Sequence, residues 1–395
     1  LPAPYAAGHS PRVPAQAGPL AAPNAEDLAQ QAFEKLKTFD GLAADDKDGK
    51  LARIDAFLKL HGESIVASRA RVLLNDLKNP VPLKPLAVAD QVLAQVLAKL
   101  KELNPGYDGG HKATTEAGAV TALTLNSHLV ARLDPIAELK DLTKLTTSFA
   151  YPNKGAITDL SPLRGLKLEE LDLGTQPGIA DLKALEGMPL KKLEVNGGGA
   201  FDLTALRDMP LQRLNLTYCK ITDLTPLKGL RLESLNITNT RVKDLSPLAG
   251  LPLKELTLGY LEVKDLSGLK GLKLEQFSYG CALAKDFSVL ADMPLESLDL
   301  AGASLQDLSI LKDMPLTALN IRRTKVTDLS PLRGKQIKKL NIIGCAITDY
   351  SVLRELPLER IHLDFDAKRD AEVLRAIKTL KFINDKSAAN ALGAK

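Results

Sequence analysis

The stretch that decides the fold is Asp223–Leu258, "DLTPLKGLRLESLNITNTRVKDLSPLAGLPLKELTL". It states one pattern twice: Leu224 and Leu245 are 21 residues apart, and so are Leu232 and Leu253. Working outward, equivalent starts fall at Leu168, Leu190, Leu211, Leu232, Leu253, Leu274, Leu295, Leu316, Ile337 and Leu358. The first step is 22 residues and the other eight are 21. Two looser copies precede them, from Val120 ("VTALTLNS") and Leu142 ("LTKLTTSF"). Self-similarity at a period in the twenties predicts a solenoid and outranks any local helix or strand signal.

Within one copy, positions 1, 4, 6, 11, 14 and 17 are apolar: Leu232, Leu235, Ile237, Val242, Leu245 and Leu248 in one instance. Positions 4 and 6 alternate like a short strand with one buried face. Positions 11, 14 and 17 recur every three residues, which suits a 3₁₀-like return. One coil cannot bury these side chains alone, whereas stacked coils bury them against their neighbours. At a strand spacing of about 4.8 Å, twelve coils make a curved rod roughly 55 Å long.

The unit "LxxLxLxxxxIxDLxPLxGxP" resembles the leucine-rich repeat. Its "TDLSPLRG" with "MPL" or "LPL" is most similar to bacterial repeats abundant in planctomycete proteins. "LKELNPGYDGG" (Leu100–Gly110) resembles the segment that enters such arrays, and "RDAEVLRAIKTLKFIND" (Arg369–Asp385) the segment that closes them. The resemblance covers residues 86–385. It implies an α/β solenoid, a leucine-rich-repeat arc with parallel strands on its concave face, preceded by a small helical region. It also implies recognition rather than catalysis, often in chains that carry a kinase or other domain. One departure stands out. The usual Asn at position 9 is replaced by Cys219, Thr240, Ala303, Thr324 or Cys345, so backbone groups in that turn need other partners.

The remaining chain divides around the array. Residues 1–23, "LPAPYAAGHSPRVPAQAGPLAAP", hold six Pro and no acid and read as a flexible tether. A chain starting at Leu1, without Met, in such a segment fits a removed signal peptide and export to the periplasm or cell surface. It equally fits a piece of a longer chain. Residues 24–79 read as helical. Asn24 is placed to cap a first helix whose apolar face is Leu28, Ala32, Phe33 and Leu36. A second stretch, Lys50–Leu77, carries Ile54, Phe57, Leu58 and Leu60 and is divisible at His61–Gly62. Residues 80–119 are a linker, where "NPVPLKP" cannot continue a helix, and an N-terminal cap with a helix near Val88–Leu103. The repeats occupy 120–363. Residues 364–395 are the C-terminal cap and tail, with a helix expected over Ala371–Leu380. Caps are needed because an open end exposes core leucines and strand edges.

Composition fits a folded protein: 45% apolar, 25% charged, no Trp. A net charge of +4 over 395 residues is too weak to imply nucleic acid. No apolar run reaches the length of a membrane span. His9, His61, His111, His128 and His362 share no metal-ligand or acid–base spacing. "NGGGA" (Asn196–Ala200) lacks the Lys-Ser/Thr of a phosphate loop. "DFD" (Asp364–Asp366) and "DFS" (Asp286–Ser288) fall on repeat positions without a catalytic-loop motif. Cys219 and Cys345 share a position six coils apart, roughly 29 Å at strand spacing, too far for a disulfide. No cofactor, metal or catalytic residue is expected.

The most regular polar feature is a column of Asp: Asp159, Asp181, Asp202, Asp223, Asp244, Asp265, Asp286, Asp307, Asp328 and Asp349. Ten carboxylates about 5 Å apart repel unless satisfied. A calcium ladder needs six or more oxygens per ion, and each coil supplies one carboxylate. Capping of the following "LSPL" turn through backbone N–H groups is the favoured reading.

What remains is surface. Outward positions 2, 3, 5, 7 and 8 are read as the concave face. Position 5 runs Asp172, Glu194, Asn215, Asn236, Thr257, Ser278, Asp299, Asn320, Asn341 and His362, and position 8 includes Phe149, Tyr218, Tyr260, Arg323 and Phe365. Tyr and Arg are enriched at binding hot spots. The candidate binding residues are Tyr218, Tyr260, Asn236, Asn239, Asp299, Arg322 and Arg323. The expected partner is a protein. A larger enzyme's interaction region is one alternative, and carbohydrate binding through Tyr218 and Tyr260 is another.

Overall fold

The computed structural model of the chain describes residues 25–39, 42, 46–62, 67–78, 88–147 and 154–393. The Pro/Ala-rich segment, Asn24, the "NPVPLKP" linker and Phe149 lie outside them. The chain divides into two compact units, Leu1–Leu86 and Ala87–Lys395.

The first unit holds helices α1 (Ala25–Thr38), α2 (Lys47–His61) and α3 (Ala67–Lys78). The Asp46 carboxylate accepts the Gly49 N–H at 2.8 Å and caps α2. The core is Ala29, Phe33, Leu36, Ile54, Phe57 and Ala70, with the Phe33 and Phe57 rings 5.8 Å apart. The expectation that Leu28 shares the apolar face of α1 is corrected. Leu28 is 48% exposed and Leu60 is 80% exposed. Phe33 and Leu36 set the stripe on α1, and the residue one turn before Phe33 is Ala29, with Leu28 rotated about 100° away. On α2, Ile54 and Phe57 set the stripe, which continues to His61, its ring tilted against Phe57 at 5.0 Å, and leaves Leu60 aside.

The second unit opens with α4 (Val88–Leu103), whose Ala89, Val96 and Leu100 join the main core and cover its first coil. Asn104 locks this cap. Its Nδ2 donates to Leu100 O and Arg132 O, and its Oδ1 accepts the N–H groups of Ala131 and Arg132. Next come β1 (His111–Glu116) and β2 (Ala119–Leu125), an antiparallel hairpin through Ala117 and Gly118, both at positive φ. The repeat pattern does not anticipate β1, because its side chains are exposed throughout and carry no burial period.

From β2 the sheet is parallel. It runs through β3 (Lys144–Thr147), β4 (Glu170–Thr175), β5 (Lys192–Asn196), β6 (Arg213–Asn215), β7 (Ser234–Asn236), β8 (Glu255–Thr257) and β9 (Gln276–Ser278). It continues through β10 (Ser297–Asp299), β11 (Ala318–Asn320), β12 (Lys339–Asn341) and β13 (Arg360–His362). Among the described residues it has 15 strands in chain order. Equivalent repeat positions pair across each gap, as in Leu214↔Leu235 and Leu235↔Leu256. Each strand returns through a 3₁₀ turn such as Ser246–Leu248, closed by the Leu248 N–H on Leu245 O at 3.0 Å. Leu232, Leu235, Ile237, Val242, Leu245 and Leu248 are all at most 2% exposed. Each fully buried Leu, Ile or Val side chain stabilises by about 1.5–3 kcal/mol. This is the leucine-rich-repeat solenoid, with parallel strands lining the concave face.

The coil from Leu274 packs rings into the same space. Tyr279 is fully buried, stacked 6.4 Å from Phe277 and edge-on 6.1 Å from Phe287. Ala284, the small residue at position 11, is also fully buried and leaves room for them.

The closing segment differs from expectation. The helix is α5 (Ala367–Arg375), followed by β14 (Phe382–Ile383), β15 (Lys386–Ser387) and α6 (Ala388–Ala391). Residues after Ala376 turn extended because β13 presents an open edge. Lys381 N–H and Phe382 N–H bond Glu359 O, and β14 pairs with β13. Pairing these backbone groups outweighs another helical turn.

Candidate functional site

The concave groove is lined by residues at positions 3 to 5 of successive strands. Lys192, Glu194, Arg213, Asn215, Ser234, Asn236, Glu255, Thr257, Gln276, Ser278, Ser297 and Asp299 bring their side chains or backbone to it. It continues past Asn320, Lys339 and Asn341 to Arg360 and His362. Most of the lining residues are polar, and Leu214, Leu256 and Phe277 also reach the groove between them. Among the described residues no Tyr lines it.

Tyr218, Asn239, Tyr260 and Arg323 are not on the strands. Each lies in the turn that follows, in the left-handed region, with φ of 64°, 55°, 56° and 56°. Gly197, Gly302 and Gly344 take the same position and conformation in other coils. The turn therefore asks for glycine, and two Tyr and an Arg occupy it against an intrinsic cost of about 1–2 kcal/mol per residue. Tyr218 is 57% exposed and Tyr260 75%. They take the same turn position two coils apart, about 10 Å at strand spacing. Arg322 is half-buried beside exposed Arg323.

Asn236 and Asp299 do have structural work. Their Oδ1 atoms accept the N–H of Thr238 at 3.0 Å and of Ala301 at 2.9 Å, closing the strand into its turn. Asp172, Asn215, Asn320 and Asn341 do the same at Gly174, Thr217, Arg322 and Ile343. The backbone groups left by the missing Asn at position 9 thus find partners from position 5. The position-5 Asn/Asp column carried this signal, which reading position 5 only as a binding face missed. Position 9 bonds differently: the Cys219 thiol donates to Val195 O at 3.1 Å and the Cys345 thiol to Ile321 O at 3.0 Å. Burial pushes the Cys219 thiol up to about 11. The Thr240 hydroxyl is buried without a hydrogen-bond partner.

The Asp column lies at the start of each 3₁₀ return. All ten carboxylates accept the backbone N–H two residues on, at 2.7–2.9 Å. Several also accept the hydroxyl of that residue, as Asp244 does from Ser246 at 2.8 Å. Each Asp stands one residue before the helix-capping position, where a Leu, Phe or Tyr sits without a side-chain cap. The bond is thus an Asx turn leading into the return. Among the described residues no group of three or more His, Cys, Asp or Glu is placed to hold a metal ion. No helix among them is long and apolar enough to cross a membrane.

No protein-family model matches the chain. No curated protein matches it. Solved structures similar to it include the functional domain of InlJ from Listeria monocytogenes, described as including a cysteine ladder, at 19% identity over 67% of this chain and 72% of that one, TM-score 0.40. A leucine-rich-repeat protein of Leptospira interrogans is 17% identical over 78% of this chain and 98% of its own, TM-score 0.39. Internalin C2 of Listeria monocytogenes is 22% identical over 68% and 92%, TM-score 0.27. The reading of the fold rests on this chain's own register, in which each strand from β2 to β12 pairs in parallel with the strand of the next repeat copy.

Proposed function

We propose that the chain is a non-enzymatic recognition or scaffold protein that holds a protein partner through the concave side of its solenoid. The observation that carries this reading is the exposure of Tyr218 and Tyr260 in the turns that follow two groove-lining strands. Two large exposed side chains occupy left-handed turn positions that three other coils give to Gly197, Gly302 and Gly344. Backbone strain of this kind, kept where glycine relieves it, points to use of the side chain. Tyr combines a broad apolar face with a hydrogen-bonding hydroxyl and loses little conformational freedom on contact. Arg323 takes the same turn position three coils beyond Tyr260, with Arg322 beside it.

On this reading Tyr218, Tyr260 and Asn239 are contact residues, and Arg322 and Arg323 steer an acidic region of the partner. Asn236 and Asp299 line the groove and also close their own turns. The residues before 87 form a separate unit, and the similarity of the repeats to planctomycete sequences belongs to this same proposal. The test is affinity capture from a lysate of the source cells with the intact chain. The captured protein is then bound to Tyr218→Ala, Tyr260→Ala, Arg322→Ala and Arg323→Ala chains. Truncating either Tyr should weaken binding by about 1 kcal/mol or more. The Arg variants should act mainly on association rate and its salt dependence. Unchanged affinity in all four, with binding mapped to residues 25–78, would remove the proposal.

A further inference from the structure

We infer that Arg213, Asn215 and Asn236 form a carboxylate-binding subsite on the groove floor, built to take an acidic side chain of a protein partner. The inference rests on the concave-face reading above and adds the chemistry of one contact.

The first observation is the orientation of two amides. Asn215 Oδ1 accepts both the N–H and the hydroxyl of Thr217, at 3.1 and 2.6 Å. Asn236 Oδ1 accepts the Thr238 N–H at 3.0 Å. These bonds consume the oxygen ends, so the amide flip is decided by the backbone. Both Nδ2 groups are then left without a partner among the described residues, and both side chains line the groove. Asn215 and Asn236 are register partners on adjacent strands, about 4.8 Å apart.

The second observation is an unneutralised cation beside them. Lys144, Lys192 and Arg360 of the parallel strands are ion-paired, with Glu170, Glu194 and Asp385. Arg213 and Lys339 have no ion pair among the described residues. Around Lys339 one of the two amides is committed, because Asn320 Nδ2 donates to Asp299 Oδ2 at 3.0 Å, which leaves only Asn341 beside it. Around Arg213 both amides are open. Arg213 lies on the same strand face as Asn215, two residues before it, and pairs in register with Ser234.

The nearby acids do not occupy this site. Glu194 is held by Lys192 at 2.7 Å, and Glu255 accepts the Ser234 hydroxyl at 3.0 Å. A guanidinium and two open amide donors on adjacent strands offer N–H groups to a carboxylate, which only accepts. The two amides are oriented before binding by their bonds to Thr217 and Thr238, so they lose little freedom on contact.

The test selects random dodecapeptides displayed on phage against the intact chain. Enriched sequences are then measured as synthetic peptides against the wild type and three variants. Arg213→Gln removes the charge. Asn236→Asp keeps the acceptor for Thr238 and turns the outward donor into a second acceptor. Thr257→Trp obstructs the groove. Far-ultraviolet circular dichroism verifies that each variant is folded. The subsite predicts a shared Asp or Glu in peptides blocked by Thr257→Trp. It also predicts that Arg213→Gln, Asn236→Asp, or the amide form of that peptide acid each weakens binding about tenfold or more. Peptides blocked by Thr257→Trp but indifferent to both other variants would overturn the subsite and leave the concave-face reading standing. Peptides indifferent to Thr257→Trp, or no enrichment at all, would overturn the subsite; the former would also remove the groove as the binding face.

Discussion

The phenolic hydroxyl of Tyr279 donates to the carbonyl oxygen of Val263, one coil back, at 2.8 Å, and accepts the N–H of Ala284 at 2.9 Å. One side chain therefore satisfies two buried backbone groups of adjacent coils. Tyr279→Phe keeps the ring and strips both partners. It should lower stability by about 1–3 kcal/mol, the cost of leaving buried polar groups unpaired. Urea unfolding followed by circular dichroism measures it. A loss within a few tenths would show that water or a shift of the coil replaces the hydroxyl.

The Asp column should stabilise through turn geometry and not through ions. Asp244→Ala removes two bonds to Ser246 and should lower stability by about 0.5–2 kcal/mol. Calcium should not change the melting temperature of either chain. Hydrogen bonds from the Ser or Thr two residues on hold Asp223, Asp265, Asp286, Asp307, Asp328 and Asp349 below the usual carboxylate range. A depressed folded value stabilises above the unfolded one, about 3.9, and that contribution disappears as pH falls through the folded value. Stability should therefore decline below about pH 4. A calcium-dependent melting shift abolished by chelator would contradict this account.

Tyr218 offers a substitution that separates folding from binding. Tyr218→Gly relieves the left-handed strain and should leave stability unchanged or raise it by up to about 1 kcal/mol, while removing the contact proposed for the partner. Tyr218→Ala keeps the strain and should change stability by no more than about 0.5 kcal/mol. Equilibrium unfolding of the two variants side by side decides it. A fall of more than 1 kcal/mol in both would mean that the ring packs on its own coil.

Asp172 sits where other coils place Asn, and burial raises its carboxyl above the usual range, with Glu194 nearby adding to the effect. A folded value above the unfolded one contributes stability at low pH that is lost as pH rises through the folded value. Asp172→Asn keeps an acceptor for the Gly174 N–H. At neutral pH it should gain a few tenths of a kcal/mol, since solvent screens a half-buried group. The gain should vanish below about pH 3.9. Unfolding at pH 3 and pH 7 gives the comparison. An equal effect at both would assign it to packing instead.

The interaction chemistry was less legible than the scaffold. Tyr218, Tyr260 and Arg323 stood out by residue type, but their left-handed backbone did not, because nothing in "LTYC" or "LGYL" alone states φ. The role of Asn215 and Asn236 was hidden for another reason. An Asn on an outward strand position looks like solvated surface until the carbonyl end is seen bonded to the residue two on. Arg213 was equally silent, since a cation becomes conspicuous only when its neighbours are found paired elsewhere.

The sequence by itself determined the period, the register and the buried set. A 21-residue repeat with Leu, Ile or Val at six positions has one economical burial, each coil against the next, and Leu235 opposite Leu256 follows from counting. Tertiary structure decided the ends and the open surface. Whether residues after Ala376 continue a helix depends on the unpaired edge of β13, and whether Leu28 or Ala29 is buried depends on where Phe33 meets Phe57. Burial repeats with the chain and is written into it, whereas the partners of a terminal edge or an outward side chain are set by distant neighbours.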